Sequence, residues 1–530
     1  MRPCMTNPSG ETPAADAAGL TVFRLFRAQV ATDRSATALQ QDGRCWSYGE
    51  LDAWAARIAG LFAARGVGRG DRVALLSENG AAYVAIQLAC ARLGAIVACQ
   101  NWRLADDQLR HCIQLCTPSL LLVSERYADV ARRIDHGVPA VLTLGAAFDQ
   151  AVADTAEGVA PEDAARPEDG IVILYTSGTT GMPKGALISH RAMIARAMVN
   201  GTDGAIVVLP AFLAWAPLFH MVSTDNALAA LMRGGKVIVT DGFDAAELVR
   251  IVAAEEIGWL NLMPGMIDAV LDELDRTGAA ARGIRTLGCM PDLMPRRQIA
   301  RLTERLGAPF VNSFGSTETG APPGSRSLIA VGDAPAGLPK TLNSFCAIRL
   351  VDEEDRDVRD GEPGELLFRG PTLFSGYWNA PVATAEAFRG GWFRMGDMFR
   401  RNPDGTLSFV DRRKYLIKSG GENIYPAEVE QVLRASPRVA DAVVVRRPDD
   451  RWGEVPVAFV VPADPEVTAA EVIAFCRGRI AGYKLPKEVR FVAADALPRN
   501  TTGKILRHEL EALLAIDRGD TAAAGAGERP

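Results

Sequence analysis

Residues 175–185, YTSGTTGMPKG, gather four aliphatic hydroxyls, three glycines and one lysine into eleven positions. Glycines let backbone N–H groups converge into a concave anion-binding nest. Thr176, Ser177, Thr179 and Thr180 add hydroxyl donors, Gly178 and Gly181 supply the freedom to turn, and Lys184 adds a point charge. This set of groups suits a polyphosphate. It is not a Walker A loop, because the lysine follows Met182-Pro183 and no Ser or Thr comes after it. The apolar run 171–174 reads as a buried strand and 185–189 as a second strand. The anion is then held by the nest and side chains, with no helix dipole needed. A Gly/Thr surface hairpin shares the local pattern, but the whole string is too specific for that reading to be preferred.

The string TSGTTGMPKG resembles the signature of adenylate-forming enzymes, which include acyl-CoA synthetases, peptide-synthetase adenylation domains and luciferases. Further segments agree with that family in order and spacing: APLFH (216–220), NSFGSTETG (312–320), GELLFRG (364–370), WFRMGD (392–397), DRRKYLIKSGGENIYPAEVE (411–430) and LPRNTTGKILR (497–507). The resemblance runs from about 20 to 512 and is strongest to AMP-forming acyl-CoA and aryl-CoA ligases. It implies two half-reactions. A carboxylate attacks the α-phosphate of ATP to give an acyl-adenylate and pyrophosphate; a thiol, usually that of CoA, then displaces AMP.

The resemblance also assigns roles to single residues. Joining two anions requires charge neutralisation, and Mg²⁺ held by one carboxylate plus phosphate oxygens is the usual means. Glu318 matches the metal-binding glutamate, with Thr317 and Gly315 in the same motif and Thr176 as a second metal contact. Asp397 has two acceptor oxygens for a ribose diol, although Met395 stands where the family has Thr. Phe314 offers a face for adenine and Asn312 a partner for the adenine amine; as bare residues either could equally be core. Arg412 corresponds to an arginine reaching ribose and phosphate, and Lys414 to the hinge. Lys504 corresponds to the lysine that stabilises charge on both reactants. Gly420 and Gly421 permit close approach of the pantetheine arm of CoA. Trp452 is either a CoA neighbour or a structural tryptophan.

The acyl pocket is expected from 212–225, 286–292 and 312–322. The first two stretches are mostly apolar, FLAWAPLFHMV and TLGCMPD. His220 reads either as a gate over the carboxylate, and so a catalytic candidate, or as a satisfied buried histidine. It stands where amino-acid-activating relatives carry an aspartate, which argues against an amino acid. Asp225 reads either as facing the pocket or, in preference, as a helix cap after Ser223. A hydrophobic acid is expected, whether aromatic, alicyclic or medium-chain. Two other readings are kept: an adenylating enzyme loading a separate carrier protein, and a non-catalytic adenylate-binding regulator.

The elements that must position these residues follow from pattern. Ser47-Tyr48-Gly49-Glu50 is a capping box, and Leu51, Trp54, Ala55, Ile58, Leu61 and Phe62 follow at helical spacing. Strands near 72–76, 95–99 and 120–123 alternate with helices near 81–93 and 105–115. This rhythm predicts an α/β chain with mainly parallel sheet and flanking helices. From 346 to 411 short strands and Gly/Pro turns predict a β-rich subdomain. Beyond it come a helix over 427–435, strands at 442–446 and 456–461, a helix over 468–481 and a strand at 489–492. The expected domains are a large N-terminal domain over 21–411 and a small mobile α+β domain over 412–513, with disordered ends at 1–20 and 514–530.

Bulk properties restrict the function classes. The 530-residue chain has a net charge of −6 and no Lys/Arg-rich block, so nucleic acid is not an expected partner. Nine cysteines and five histidines lack zinc-ligand spacing and read as free thiols in a reducing cytoplasm. No signal peptide is read at the N-terminus. Residues 204–224 carry no Asp, Glu, Lys or Arg and approach the length of a membrane span, yet Pro210 and Pro217 favour a buried strand and turn. A homodimer is carried as an expectation without a sequence signature.

Overall fold

The computed structural model describes residues 19–156, 163–176, 182–263, 265–499 and 505–517. The chain divides into two compact units. The first holds residues up to 347 together with 368–393; the second holds 348–367 and the chain from 394 onward.

The first unit contains two parallel-rich sheets. One has six strands in the order Val141–Leu144, Leu120–Ser124, Arg72–Leu76, Ile96–Cys99, Gly170–Thr176 and Lys184–Ser189. All neighbours are parallel except the last pair. The other has eight strands, with Gly283–Leu287, Glu256–Leu260, Ala211–Ala214 and Lys236–Val239 consecutive and parallel at its centre. Strands covered on both faces read as unbroken apolar runs; all of Leu120–Ser124 and Ile96–Cys99 is buried.

Helix boundaries follow local chemistry. Ser47 and Glu50 form the expected capping box on the helix Tyr48–Ala63. Its apolar stripe is buried at Leu51, Ala55, Ile58, Leu61 and Phe62, while Trp54 stacks on Trp46 at 5.6 Å. The segment expected as strand and turn contains the strand Ala211–Ala214, and the helix Met221–Met232 starts before its end. Among the described residues no helix is long and apolar enough to cross a membrane.

The second unit is built on a long hairpin, Val439–Asp449 with Gly453–Pro462, longer than the pattern predicted. Ile417–Ser419 and Glu422–Ile424 extend the sheet on one side, and Glu488–Phe491 joins it in parallel. Alternation places Val444, Ala458 and Val460 in a core with Val429 and Leu433 of the helix Pro426–Arg434. Val443, Val457 and Phe459 pack with Leu510 and Leu514 of the helix Arg507–Asp517. The helix expected over 468–481 stops at Cys476. Gly478 then takes φ +74°, and Arg477 bridges to Ile480, so the chain turns back where helical periodicity alone would continue.

Candidate active site

Thr176 and Lys184 face each other in register at the loop end of the antiparallel pair Gly170–Thr176 and Lys184–Ser189. The second strand thus starts at the lysine, and no helix follows the loop, as the sequence implied. Ser177, Gly178, Thr179, Thr180 and Gly181 lie outside the described residues. The far side of the loop is anchored by His111, whose Nε2 donates to the Pro183 carbonyl at 3.1 Å. Gly185 is needed for packing: a Cβ there would sit 2.8 Å from the Ile173 side chain.

Glu318 is held from two directions. The Tyr377 hydroxyl donates to its Oε1 at 2.9 Å, and Phe374 N–H donates to its carbonyl at 2.9 Å. The Lys184 ammonium lies 5.1 Å from the centroid of the same Tyr377 ring. One tyrosine therefore links the lysine of the glycine loop to the glutamate of the second motif. Burial, followed by the adjacent Glu318 carboxylate, pushes the Tyr377 phenol upward, so it stays a donor at neutral pH.

Arg196 fixes the rest of that motif. Its Nη2 donates to the Thr317 carbonyl at 2.9 Å and its Nε to Thr372 at 3.1 Å. Its Nη1 pairs with Asp225 Oδ2 at 2.9 Å, with both side chains almost fully buried. Gly320 has φ +77°, and a Cβ there would meet the Arg196 Cδ at 2.8 Å. The motif's glycine is required by both the left-handed turn and the arginine stem. Asp225 is thus not a cap. It lies inside the helix Met221–Met232, and His220 is the N-cap, with Nδ1 accepting from Val222 N–H at 3.3 Å. Burial raises the Asp225 carboxyl while the Arg196 charge opposes that. An aspartate committed to an arginine in this way has no role in holding a substrate ammonium.

Around the expected adenine site, Asn312 is buried and its amide is engaged. Nδ2 donates to the Pro339 carbonyl at 2.9 Å, and Oδ1 accepts from the Lys340 ammonium. Lys340 also pairs with Asp292 at 2.6 Å. Phe314 is half-buried, and its N–H donates to Ser325 Oγ. On the acyl side, the LGCMPD turn has Met290 at φ +50°, with its N–H donating to Ser313 Oγ at 3.0 Å.

In the second unit, Asp397 is opposite Arg412 across paired strands, and Oδ1 lies 3.2 Å from the arginine Nε. Gly420 and Gly421 form the two-residue turn of a hairpin, with φ of +59° and +85°. Such a turn needs positive φ at both positions. Trp452 packs against it: a Cβ on Gly420 would be 2.7 Å from the indole, and Gly420 N–H donates to the Trp452 carbonyl at 2.8 Å. The tryptophan is 42% exposed, which leaves it both structural and accessible. Lys414 is exposed, with its ammonium 5.0 Å from the Tyr415 ring centroid. Lys504 lies outside the described residues. Arg507, just beyond it, is half-buried against Glu430, with Nη2 to Oε2 at 3.0 Å, and 4.9 Å from the Tyr415 ring centroid. Asp411 accepts from the N–H groups of Arg412 and Ala427, and burial pushes its carboxyl up to about 6.

The structure thus joins Lys184 to Glu318, Asp397 to Arg412, and Gly420 to Trp452. Sequence reasoning missed Tyr377 and Arg196. Their contacts span 59 and 121 residues, and no local spacing links them to Glu318 or Thr317. Among the described residues no group of three or more His, Cys, Asp or Glu could hold a metal. Mg²⁺ is commonly bound by one or two carboxylates together with phosphate oxygens, without an all-protein cage, and Glu318 offers one such carboxylate.

Comparison with known proteins agrees with these motifs. Residues 26–378 match the model described as AMP-binding enzyme, and 428–504 that of the AMP-binding enzyme C-terminal domain. The chain is 37% identical over 492 residues to an indoleacetate–CoA ligase of Aromatoleum aromaticum, covering 90% of this chain and 95% of that one. It is 36% identical to a feruloyl-CoA synthase of an Amycolatopsis species, with the same coverage. Among solved structures, the O-succinylbenzoate coenzyme A synthetase of Bacillus subtilis in complex with ATP and magnesium ion superposes with a TM-score of 0.79 at 28% identity, over 93% of this chain and 99% of that one. The motifs, the fold and these matches make the chain a member of the AMP-binding enzyme family.

Proposed function

We propose that this protein is an AMP-forming carboxylate–CoA ligase for a hydrophobic, aromatic acid. The observation that carries the reading is the Tyr377 bridge, with Lys184 over its ring and Glu318 on its hydroxyl. It gathers one cation and one carboxylate beside the glycine loop, the pair that a metal-bound polyphosphate requires. Lys184 and the loop hold the phosphates. Glu318 with Thr176 would hold Mg²⁺, which supplies charge neutralisation as the acid meets the α-phosphate.

Asp397 takes the ribose hydroxyls and Arg412, paired with it, reaches toward the phosphate. Asn312 and Phe314 form the adenine side, with the Asn312 amide oriented by Lys340. Lys504 steadies the charge of both reactants during adenylation. The Gly420-Gly421 turn and Trp452 then serve the thiol step, with Lys414 at the hinge that exchanges the two faces of the 412–513 domain. His220 faces the carboxylate with Nδ1 used by its own helix cap, which leaves an Nε2–H tautomer. The two relatives named above act on aromatic acids by their names, and the apolar stretches 212–222 and 286–291 suit such a group. A homodimer in a cytoplasmic setting completes the proposal; every described cysteine is a free thiol, as a reducing compartment favours.

The test supplies purified protein with ATP, Mg²⁺, CoA and a panel of hydrophobic acids. Pyrophosphate release with thioester formation is the expected result. Adenylate accumulating without thioester would favour a carrier protein as acceptor, and no pyrophosphate from any acid would remove the ligase reading. In Lys504→Ala, adenylation should be lost while thiolysis of preformed adenylate survives; equal loss of both steps would contradict alternation.

A further inference from the structure

We propose that the side-chain amide of Asn261 reads a hydrogen-bonding substituent, a hydroxyl or an N–H, on the ring of the acyl group. The inference rests on the ligase reading and narrows its substrate class. Asn261 is 0% exposed. Among the described residues neither its Oδ1 nor its Nδ2 has a hydrogen-bond partner. Its main chain, by contrast, is fixed: the Trp215 indole N–H donates to its carbonyl at 2.7 Å. A buried amide with both ends unpaired carries the full desolvation cost of each group. Native interiors seldom keep one without a ligand or water to complete it. A leucine would fill the same volume without that cost.

Its place in the fold selects the ligand over water. Asn261 follows the strand Glu256–Leu260 at the carboxyl end. The flanking parallel strands, Ala211–Ala214 and Gly283–Leu287, end at the same edge of the sheet. In open α/β sheets ligands sit beyond the carboxyl ends of strands. The segments leaving these strands lead to His220 on one side and Met290 on the other. The neighbouring groups are apolar or weakly polar: Trp215, Leu262, Met263 and Cys289 are all buried, and the Cys289 and Met263 sulfurs are 3.6 Å apart. Within that setting Asn261 offers two N–H donors and one carbonyl acceptor. A phenolic hydroxyl can pair with either end and a ring N–H with the oxygen. An uncharged amide does not compensate a second carboxylate or an ammonium, so the selected acid is a neutral-ring aromatic acid bearing O–H or N–H.

The test uses matched pairs of acids with the purified full chain: 4-hydroxycinnamate against cinnamate, and indole-3-acetate against 1-naphthylacetate. The readout is the ratio of kcat/KM for pyrophosphate release within each pair. The wild type should prefer the polar member of at least one pair by about 10-fold or more, since a site built to bond a polar group discriminates strongly against its absence. Asn261→Leu should abolish or reverse that ratio. Asn261→Ala, with a smaller side chain, gives the same readout should the leucine variant not fold. A wild-type ratio near one in both pairs would overturn the proposal. So would a preference that survives in a folded variant, which would assign the amide to a buried water. If no acid of the panel or the pairs releases pyrophosphate, the ligase reading itself falls, an outcome distinct from ligase activity without polar discrimination.

Discussion

Replacing Tyr377 with phenylalanine removes one hydroxyl and little else. The ring under Lys184 remains, as does its edge contact with Phe374 at 4.9 Å. What disappears is the 2.9 Å donation to Glu318 Oε1. A hydrogen bond to a charged group contributes about 1.5–3 kcal/mol, or about 10- to 100-fold at 1.4 kcal/mol per tenfold. Loss of a partner that orients a metal ligand falls in the same range. The cation–π contact that Tyr377→Phe preserves contributes only about 0.5–1 kcal/mol at a partly exposed site, so the hydroxyl dominates. Tyr377→Phe should therefore weaken the apparent Mg²⁺ affinity in the adenylation half-reaction about 10- to 100-fold, with thermal stability almost unchanged. The assay is pyrophosphate release titrated with Mg²⁺ at fixed ATP and acid. Tyr377→Leu, which also removes the ring, should add a few-fold loss in ATP affinity. A Mg²⁺ titration of folded Tyr377→Phe that overlays the wild type within twofold would refute the idea that this tyrosine orients Glu318.

Two further outcomes follow from the second unit. The Asp411 carboxyl is raised to about 6 by burial, above the ~3.9 of an unfolded aspartate. The folded state thus binds the proton more tightly, so this group's stabilisation is complete below pH ~4, declines as pH rises to ~6 and is lost above it. Urea unfolding of wild type and Asp411→Asn at pH 4 and 7.5 should show the wild-type advantage shrinking by about 1–3 kcal/mol on going to the higher pH; a constant difference would contradict the shift. Gly420→Ala places a Cβ 2.7 Å from Trp452 at φ +59°. Left-handed backbone alone costs about 1–2 kcal/mol, and the indole must move. Thioester formation should slow more than pyrophosphate release; an equal effect on both half-reactions would separate this turn from the thiol step.

Local chemistry accounts for what could be read from the chain. The capping box at Ser47, the helix stop before Gly94 and the strand after Lys184 depend on neighbours a few residues apart. The same holds for Gly420-Gly421, whose residue types state the backbone they need. The motif strings carried the site because each packs its chemistry into a short stretch. Asp225 was misread as a cap for the opposite reason. Its partner, Arg196, lies on another helix 29 residues away, and nothing local distinguishes a capping aspartate from a buried one.

Composition, periodicity and short motifs by themselves determined the alternating α/β order, the family and the residue types available for adenylate chemistry. Tertiary structure alone decided that Tyr377 joins Lys184 to Glu318, that Arg196 occupies the space above Gly320, and that the Asn261 amide is buried with no hydrogen-bond partner among the described residues. Secondary structure responds to side chains within one turn or one strand, whereas these contacts exist only once sheets and helices pack and bring distant segments within hydrogen-bond reach.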